Sequence, residues 1–235
     1  MPELNEDKLL KHFVSINQKN IRSINVEYDL NSSDLFSGYT LTPQVLQSMG
    51  RIINGIVNKG SRAWILTGPY GSGKSFFSLF LVNLLNADQD KHEMALNKLF
   101  EVEPILSEQV KKIHDQGTGY FPIIITGYRA SLDECVHHGI EKAILRDDAL
   151  GEAFLTSIDW HQQDYGASDN KKGNSKKLIN IIEYLSQKIQ STGIYKGLIF
   201  VFDEMGKALE QASFHKQEND IYLLQEIAEF INRSE

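Results

Sequence analysis

The sequence predicts an α/β fold with a mostly parallel sheet flanked by helices. Three observations carry that prediction. A glycine-rich turn, Gly68-Pro69-Tyr70-Gly71-Ser72-Gly73-Lys74-Ser75, joins a short apolar run at 63–67 to a longer one at 76–85. A second short apolar run, 198–202, ends in the carboxylates Asp203 and Glu204. Between them lies a third strand-length run, 120–126, separated from both by segments of helical periodicity. Strand-length runs alternating with helices belong to parallel sheets.

In chain order, residues 1–37 form a lead-in, with a short helix at 6–14, an edge strand at 21–28 and a turn at 31–34. The core is expected over 38–235. Thr42-Pro43 opens a helix, a hydroxyl cap followed by proline at the first helical position. Val45, Leu46, Met49, Ile52, Ile53 and Ile56 continue it at helical spacing until 58–60. Residues 63–67 read as a buried strand and 76–85 as a buried helix. Residues 87–118 read as a helical insert around Pro104, and 120–126 as the next core strand, with Pro122 near its start where a missing donor is tolerated. Ser131 with Glu134 is a capping box opening another helix. Residues 159–175 are polar and read as a flexible loop. Leu178, Ile181, Ile182, Leu185 and Ile189 give an amphipathic helix ending at Gly193. Residues 198–203 read as a fully buried parallel strand, and 221–231 as the single helix that follows it.

The glycine-rich turn fits G-x-x-x-x-G-K-[ST], the phosphate-binding P-loop, in the strand–turn–helix context that the motif requires. Gly68, Gly71 and Gly73 permit backbone conformations barred to residues with a Cβ. Successive N–H groups then point inward at phosphate oxygens, and the helix opening at Lys74 adds its positive end. Lys74 is expected to reach the β- and γ-phosphates and the Ser75 hydroxyl to hold Mg²⁺. The expected nucleotide-binding set is Gly68, Pro69, Tyr70, Gly71, Ser72, Gly73, Lys74, Ser75 and Phe76, with ATP and Mg²⁺ as ligands. Asp203 ends its strand at the carboxyl edge, where α/β sheets place ligands.

With the P-loop upstream, 198–204 resembles the Walker B motif of P-loop NTPases. The resemblance covers about 38–235 and rests on two short motifs. It implies a P-loop NTPase of the additional-strand, catalytic-glutamate branch that holds AAA+, STAND and RecA-like ATPases. By position it makes Asp203 a Mg²⁺ residue beside Ser75, and Glu204 the catalytic base working with Lys74. In AAA+ and STAND-type relatives the segment before the first core helix packs near the base, so Tyr39, Thr40 and Leu41 are candidate base contacts, with packing as the other reading of Tyr39. Asp203-Glu204-Met205-Gly206-Lys207-Ala208-Leu209-Glu210 is similar to a stretch in large ATPases of bacterial anti-phage and mobile-element systems. ABC transporters and small GTPases are disfavoured, since neither an L-S-G-G-Q nor an N-K-x-D motif occurs in its place. In the resembled branch a strand with a polar sensor residue follows Walker B and lies beside the P-loop strand. None is read here, and Arg233 is the only arginine after Glu204. The core is therefore expected to be incomplete at its C-terminus, with a different strand order as the other explanation.

The bulk numbers set bounds. The chain has 235 residues, 41% apolar and 23% charged, an ordinary balance for a packed core. A net charge of −7 argues against a surface built to bind polyanions throughout. No apolar run reaches the ~18 residues of a membrane span. Cys135 is the single cysteine, so no intrachain disulfide forms, and a cytoplasmic protein is the natural reading. His137-His138 lacks companions at metal-ligand spacing. Arg129, just past a strand end, is either a phosphate or sensor residue or an exposed loop arginine. The lysines at 171–172 and 176–177 read as a solvated face, leaving nucleic acid unsupported as a partner by this segment. The expected function is a hydrolysing motor or switch domain of a larger, oligomeric ATPase acting on DNA or protein. The alternatives are a nucleotide-binding regulatory module with little turnover, or a P-loop kinase.

Overall fold

The computed structural model describes residues 24–30, 32, 36, 38–114, 118–148, 150–151, 154, 171–214 and 218–234. The elements in order are α1 (Val26–Asp29), α2 (Pro43–Val57), α3 (Lys74–Leu85), α4 (Gln89–Val102), α5 (Pro104–Ile113), β1 (Gly119–Thr126), α6 (Leu132–Arg146), α7 (Lys171–Ser191), β2 (Tyr195–Asp203), α8 (Met205–Phe214) and α9 (Glu218–Arg233). Among the described residues the sheet has two strands, β1 and β2, paired in parallel from Gly119↔Tyr195 to Thr126↔Asp203. Lys196 is the extra residue of a bulge near the start of that pairing.

Alternation along both strands divides the core into two layers. On one face Ile124, Ile199 and Val201 pack with α2, α3, α4 and α5, where Phe80, Met49, Leu84 and Leu99 are fully buried. On the other, Phe121, Ile123, Ile125, Leu198, Phe200 and Phe202 meet α6, α7 and α9 through Ile140, Leu185 and Ile227. The result is a helix–sheet–helix sandwich that aims the carboxyl ends of β1 and β2 at the first turn of α3.

Several helix ends follow their local signals. Thr42 Oγ1 accepts from Val45 N at 3.4 Å with Pro43 opening α2, Ser131 Oγ accepts from Glu134 N at 3.3 Å, and Pro104 starts α5. Gly193 takes φ 71°, just past the end of α7. Other expectations need correction. Residues 63–67 form no strand, and Trp64, Ile65 and Leu66 are 43%, 81% and 38% exposed. A strand exists only where a neighbour completes its ladder, and among the described residues β2 pairs along one edge, with β1. The 61–69 segment is instead tethered by Asn232 Oδ1, which accepts from Arg62 N at 2.7 Å and Ala63 N at 3.1 Å. For the same reason β2 is half-buried over 198–203 rather than fully buried. Residues 26–29 are helical, capped by Asn25 Oδ1, not part of a strand at 21–28. Two helices follow Glu204, not one, since α8 begins at Met205. Residues 171–175 begin α7 rather than ending a loop. The expected helix at 6–14 and residues 159–170 lie outside the described residues. Among the described residues no helix is long and apolar enough to cross a membrane.

One buried feature predicts a pH response. His92 and His114 stack with ring centroids 3.6 Å apart where α4 and α5 meet the end of α3. His92 Nδ1 bonds Leu84 O at 2.7 Å and His114 Nε2 bonds Asn86 O at 2.6 Å. Burial, and then the neighbouring His92, hold His114 down to about 4 from an ordinary 6.5; burial lowers His92 as well. Below 6.5 the unfolded chain takes up protons that the folded chain refuses. The stability contributed by the neutral pair is therefore complete above pH 6.5 and is lost as pH falls toward 4. Melting temperature should drop across that window, and a His114→Phe variant that still folds should show a shallower drop in the same titration.

Candidate functional site

The turn from Gly68 to Ser75 is exposed up to Gly73 and leads directly into α3. Gly71 and Gly73 have φ 77° and 84°, a region that side chains with a Cβ rarely occupy. Gly73 is the N-cap of α3 and offers no side-chain cap, so no side-chain cap competes for the first N–H groups of the helix. That arrangement suits an anion. Lys74 Nζ folds back over the turn and donates to Gly68 O at 3.0 Å and Pro69 O at 2.9 Å, which places its charge over the loop. Tyr70 is 94% exposed and Ser72 Oγ lies beneath Gly68.

The second motif meets the first. Ser75 Oγ donates to Asp203 Oδ1 at 3.2 Å, across 128 residues of sequence. The same Oδ1 accepts from Glu204 N at 3.0 Å. Asp203 projects from the α3 face of β2, two positions beyond Val201, at the carboxyl end of the strand. A helix-terminal hydroxyl beside a strand-end carboxylate is an all-oxygen pair of the kind that holds Mg²⁺ through few protein ligands and several waters. The donor set therefore fits a Mg²⁺-bound nucleotide.

Glu204 leaves the strand in the left-handed region at φ 54°, one of two such non-glycine residues among those described. Its carboxylate is exposed and paired with Lys207 on the first turn of α8. Gly127, following β1, donates its N–H to Asp203 O at 2.8 Å. A Cβ on Gly127 would sit 2.4 Å from Glu204 O, a backbone atom with little room to yield. Gly127→Ala should therefore push the two strand ends apart. A loss of about 1–3 kcal/mol in urea unfolding is expected, together with weakened Mg²⁺-dependent nucleotide binding.

The candidate base contacts divide. Tyr39 stacks on Phe76 with centroids 4.2 Å apart and leans on Phe80, within an aromatic group that includes Phe36. Its buried hydroxyl has no hydrogen-bond partner among the described residues, and burial pushes it up to about 12. Leu41 is buried and Thr40 exposed. Tyr39 thus packs against the first turn of α3, beside the loop. Arg129 is exposed past β1, and Arg233 pairs with Glu229 at 3.0 Å. Among the described residues no cluster of three or more His, Cys, Asp or Glu could hold a metal ion by itself.

Sequence reasoning did not single out Thr126, the last residue of β1 and the register partner of Asp203. A polar residue ending an apolar strand was the available signal. Lys207 is read in the sequence only as part of the 203–210 stretch, and its contact with Glu204 follows once α8 is recognised.

No family model matches the chain, and no solved structure does. Curated relatives do match, and two of them are cytosolic Fe-S cluster assembly factors. The chain is 30% identical over 141 residues to the cytosolic Fe-S cluster assembly factor NBP35 of Kluyveromyces lactis, covering 56% of this chain and 43% of that protein. It is 30% identical over 132 residues to a cytosolic Fe-S cluster assembly factor NUBP1 homolog of Brugia malayi, covering 52% and 42%. The chain spans less than half the length of these curated relatives. Neither is by name an AAA+ or STAND ATPase, so they give the branch expected from the motifs no support. What holds is the coarser description: a mixed α/β protein with a P-loop at the head of α3 and a small parallel sheet beside it.

Proposed function

We propose that the chain is an ATP-binding and ATP-hydrolysing P-loop domain. The observation that carries the reading is the Ser75–Asp203 contact, which brings two distant motifs into one cation-binding pair at a helix N-terminus. Gly68 to Phe76 would cradle the phosphates, Lys74 would turn from the loop carbonyls to the phosphate oxygens, and Ser75 and Asp203 would hold the metal. A bound Mg²⁺–ATP would supply the electrophilic phosphorus and neutralise charge developing on its oxygens. Glu204 would take the proton of the attacking water once released from Lys207. Tyr39 beside Phe76 is the candidate for the base.

A second reading, a nucleotide-binding regulatory module with little turnover, is favoured by one observation: Glu204 is held by Lys207. Phosphate release measured with ATP and Mg²⁺ separates the two. Turnover above the protein-free rate that disappears in EDTA supports hydrolysis; tight binding without turnover supports the module.

The relatives supply a setting, cytosolic Fe-S cluster assembly. Carried to this chain as part of the proposal, that setting supports a cytosolic domain. Cluster ligation by several thiolates has no basis within these residues, whose single cysteine, Cys135, is buried. Action on DNA or in anti-phage defence draws no support from these relatives or from a net charge of −7.

A further inference from the structure

We propose that Thr126 is a positioning residue for the metal side of this site, with Glu27 and Lys142 fixing the direction of its hydroxyl. The inference rests on the nucleotide-site reading above and adds to it a role for three residues outside both motifs. Thr126 and Asp203 are register partners at the carboxyl ends of β1 and β2. Ile124 and Val201, two positions earlier on each strand, both pack in the core layer that contains α3. Side chains two apart share a face, so Thr126 and Asp203 stand side by side toward the first turn of α3.

Glu27, on α1, reaches the same place. Its Oε2 accepts from Thr126 Oγ1 at 3.4 Å, and its Oε1 accepts from Lys142 Nζ of α6 at 2.8 Å. The Glu27 side chain is 16% exposed, so the ion pair is largely shielded from solvent on that side. An ionised carboxylate only accepts, and a threonine hydroxyl has one proton to give. Donating that proton to Glu27 leaves Thr126 Oγ1 with lone pairs alone on its free side. Asp203 is also an acceptor; its Oδ1 already takes Ser75 Oγ–H and Glu204 N–H, and Oδ2 takes no bond among the described residues. Two acceptors standing side by side on one face favour a donor between them. Water on Mg²⁺, which keeps several of its waters when bound by few protein ligands, is such a donor. Outer groups that orient a metal's ligands are worth roughly 10–100-fold in metal affinity.

The test uses a fluorescent ATP analogue titrated with Mg²⁺ on the whole chain, with melting temperature followed in parallel. Thr126→Val should raise the Mg²⁺ midpoint by about 10-fold while leaving nucleotide affinity in EDTA at the wild-type value. Thr126→Ser, which keeps the hydroxyl, should return the midpoint to near wild type. Glu27→Gln should shift it in the same direction as Thr126→Val, because an amide can donate to Thr126 and release its proton toward the site. An unchanged midpoint in Thr126→Val would overturn the inference. So would an equal loss of affinity with and without Mg²⁺ accompanied by a lower melting temperature, the mark of a purely structural role. Absence of any Mg²⁺-dependent nucleotide binding in the wild type would instead remove the nucleotide-site reading, and this inference with it.

Discussion

Glu204→Gln is expected to lower ATP turnover by about 10²–10⁴-fold, the range that a positioned general base contributes, with nucleotide affinity nearly unchanged. Glutamine keeps the size and hydrogen-bonding reach of glutamate but cannot accept a proton from water. The backbone of residue 204 is fixed by contacts that the substitution leaves alone: its N–H donates to Asp203 Oδ1, and its carbonyl accepts from Lys207 N at 3.0 Å. The change should therefore act on kcat and spare folding. Steady-state phosphate release, paired with analogue binding, reads both effects. Equal turnover in the two proteins would remove Glu204 from the chemistry and favour the regulatory module.

Lys74→Ala is expected to weaken ATP binding by more than tenfold, about 1.4 kcal/mol or above. Its ammonium is the one full positive charge in the turn, where phosphate otherwise meets backbone dipoles. In the structure that charge is satisfied by two loop carbonyls, Gly68 O and Pro69 O. Binding would exchange those for phosphate oxygens, and a charge-assisted bond to an anion is stronger than one to a neutral carbonyl. Both carbonyls lie in an exposed turn where water can replace the lysine, so melting temperature without ligand should move little while the stabilisation by ATP would be lost. Equal affinity in titrations of wild type and variant would count against the site.

Much of the site is legible because its signals are local. Three glycines, a lysine and a serine at fixed spacing specify a turn and a helix start, and the turn's Gly71 and Gly73 do take positive φ. Thr42-Pro43, Pro104 and Ser131 mark helix starts through hydrogen bonds and ring geometry within one turn of the chain. The 63–67 segment shows where such reasoning ends. Its apolar composition is that of a strand, yet strand formation depends on a neighbour's ladder, which composition does not encode. The same gap explains β2, apolar from Leu198 to Phe202 but paired on one edge among the described residues. Glu27, Thr126 and Lys142 meet from three elements separated by 99 and 115 residues, a convergence set by packing of α1 and α6 around β1. No short motif could announce it.

Ser75 and Asp203 are proposed to form the cation-binding half of a nucleotide site. Isothermal titration of ATP into the wild-type chain and into Asp203→Asn, each with Mg²⁺ and with EDTA, tests it most directly. The wild type should bind saturably and several-fold more tightly with Mg²⁺, whereas Asp203→Asn should still bind in EDTA but gain little from the metal. Wild-type binding of equal strength with and without Mg²⁺, or a variant that gains as much from Mg²⁺ as the wild type does, would contradict it.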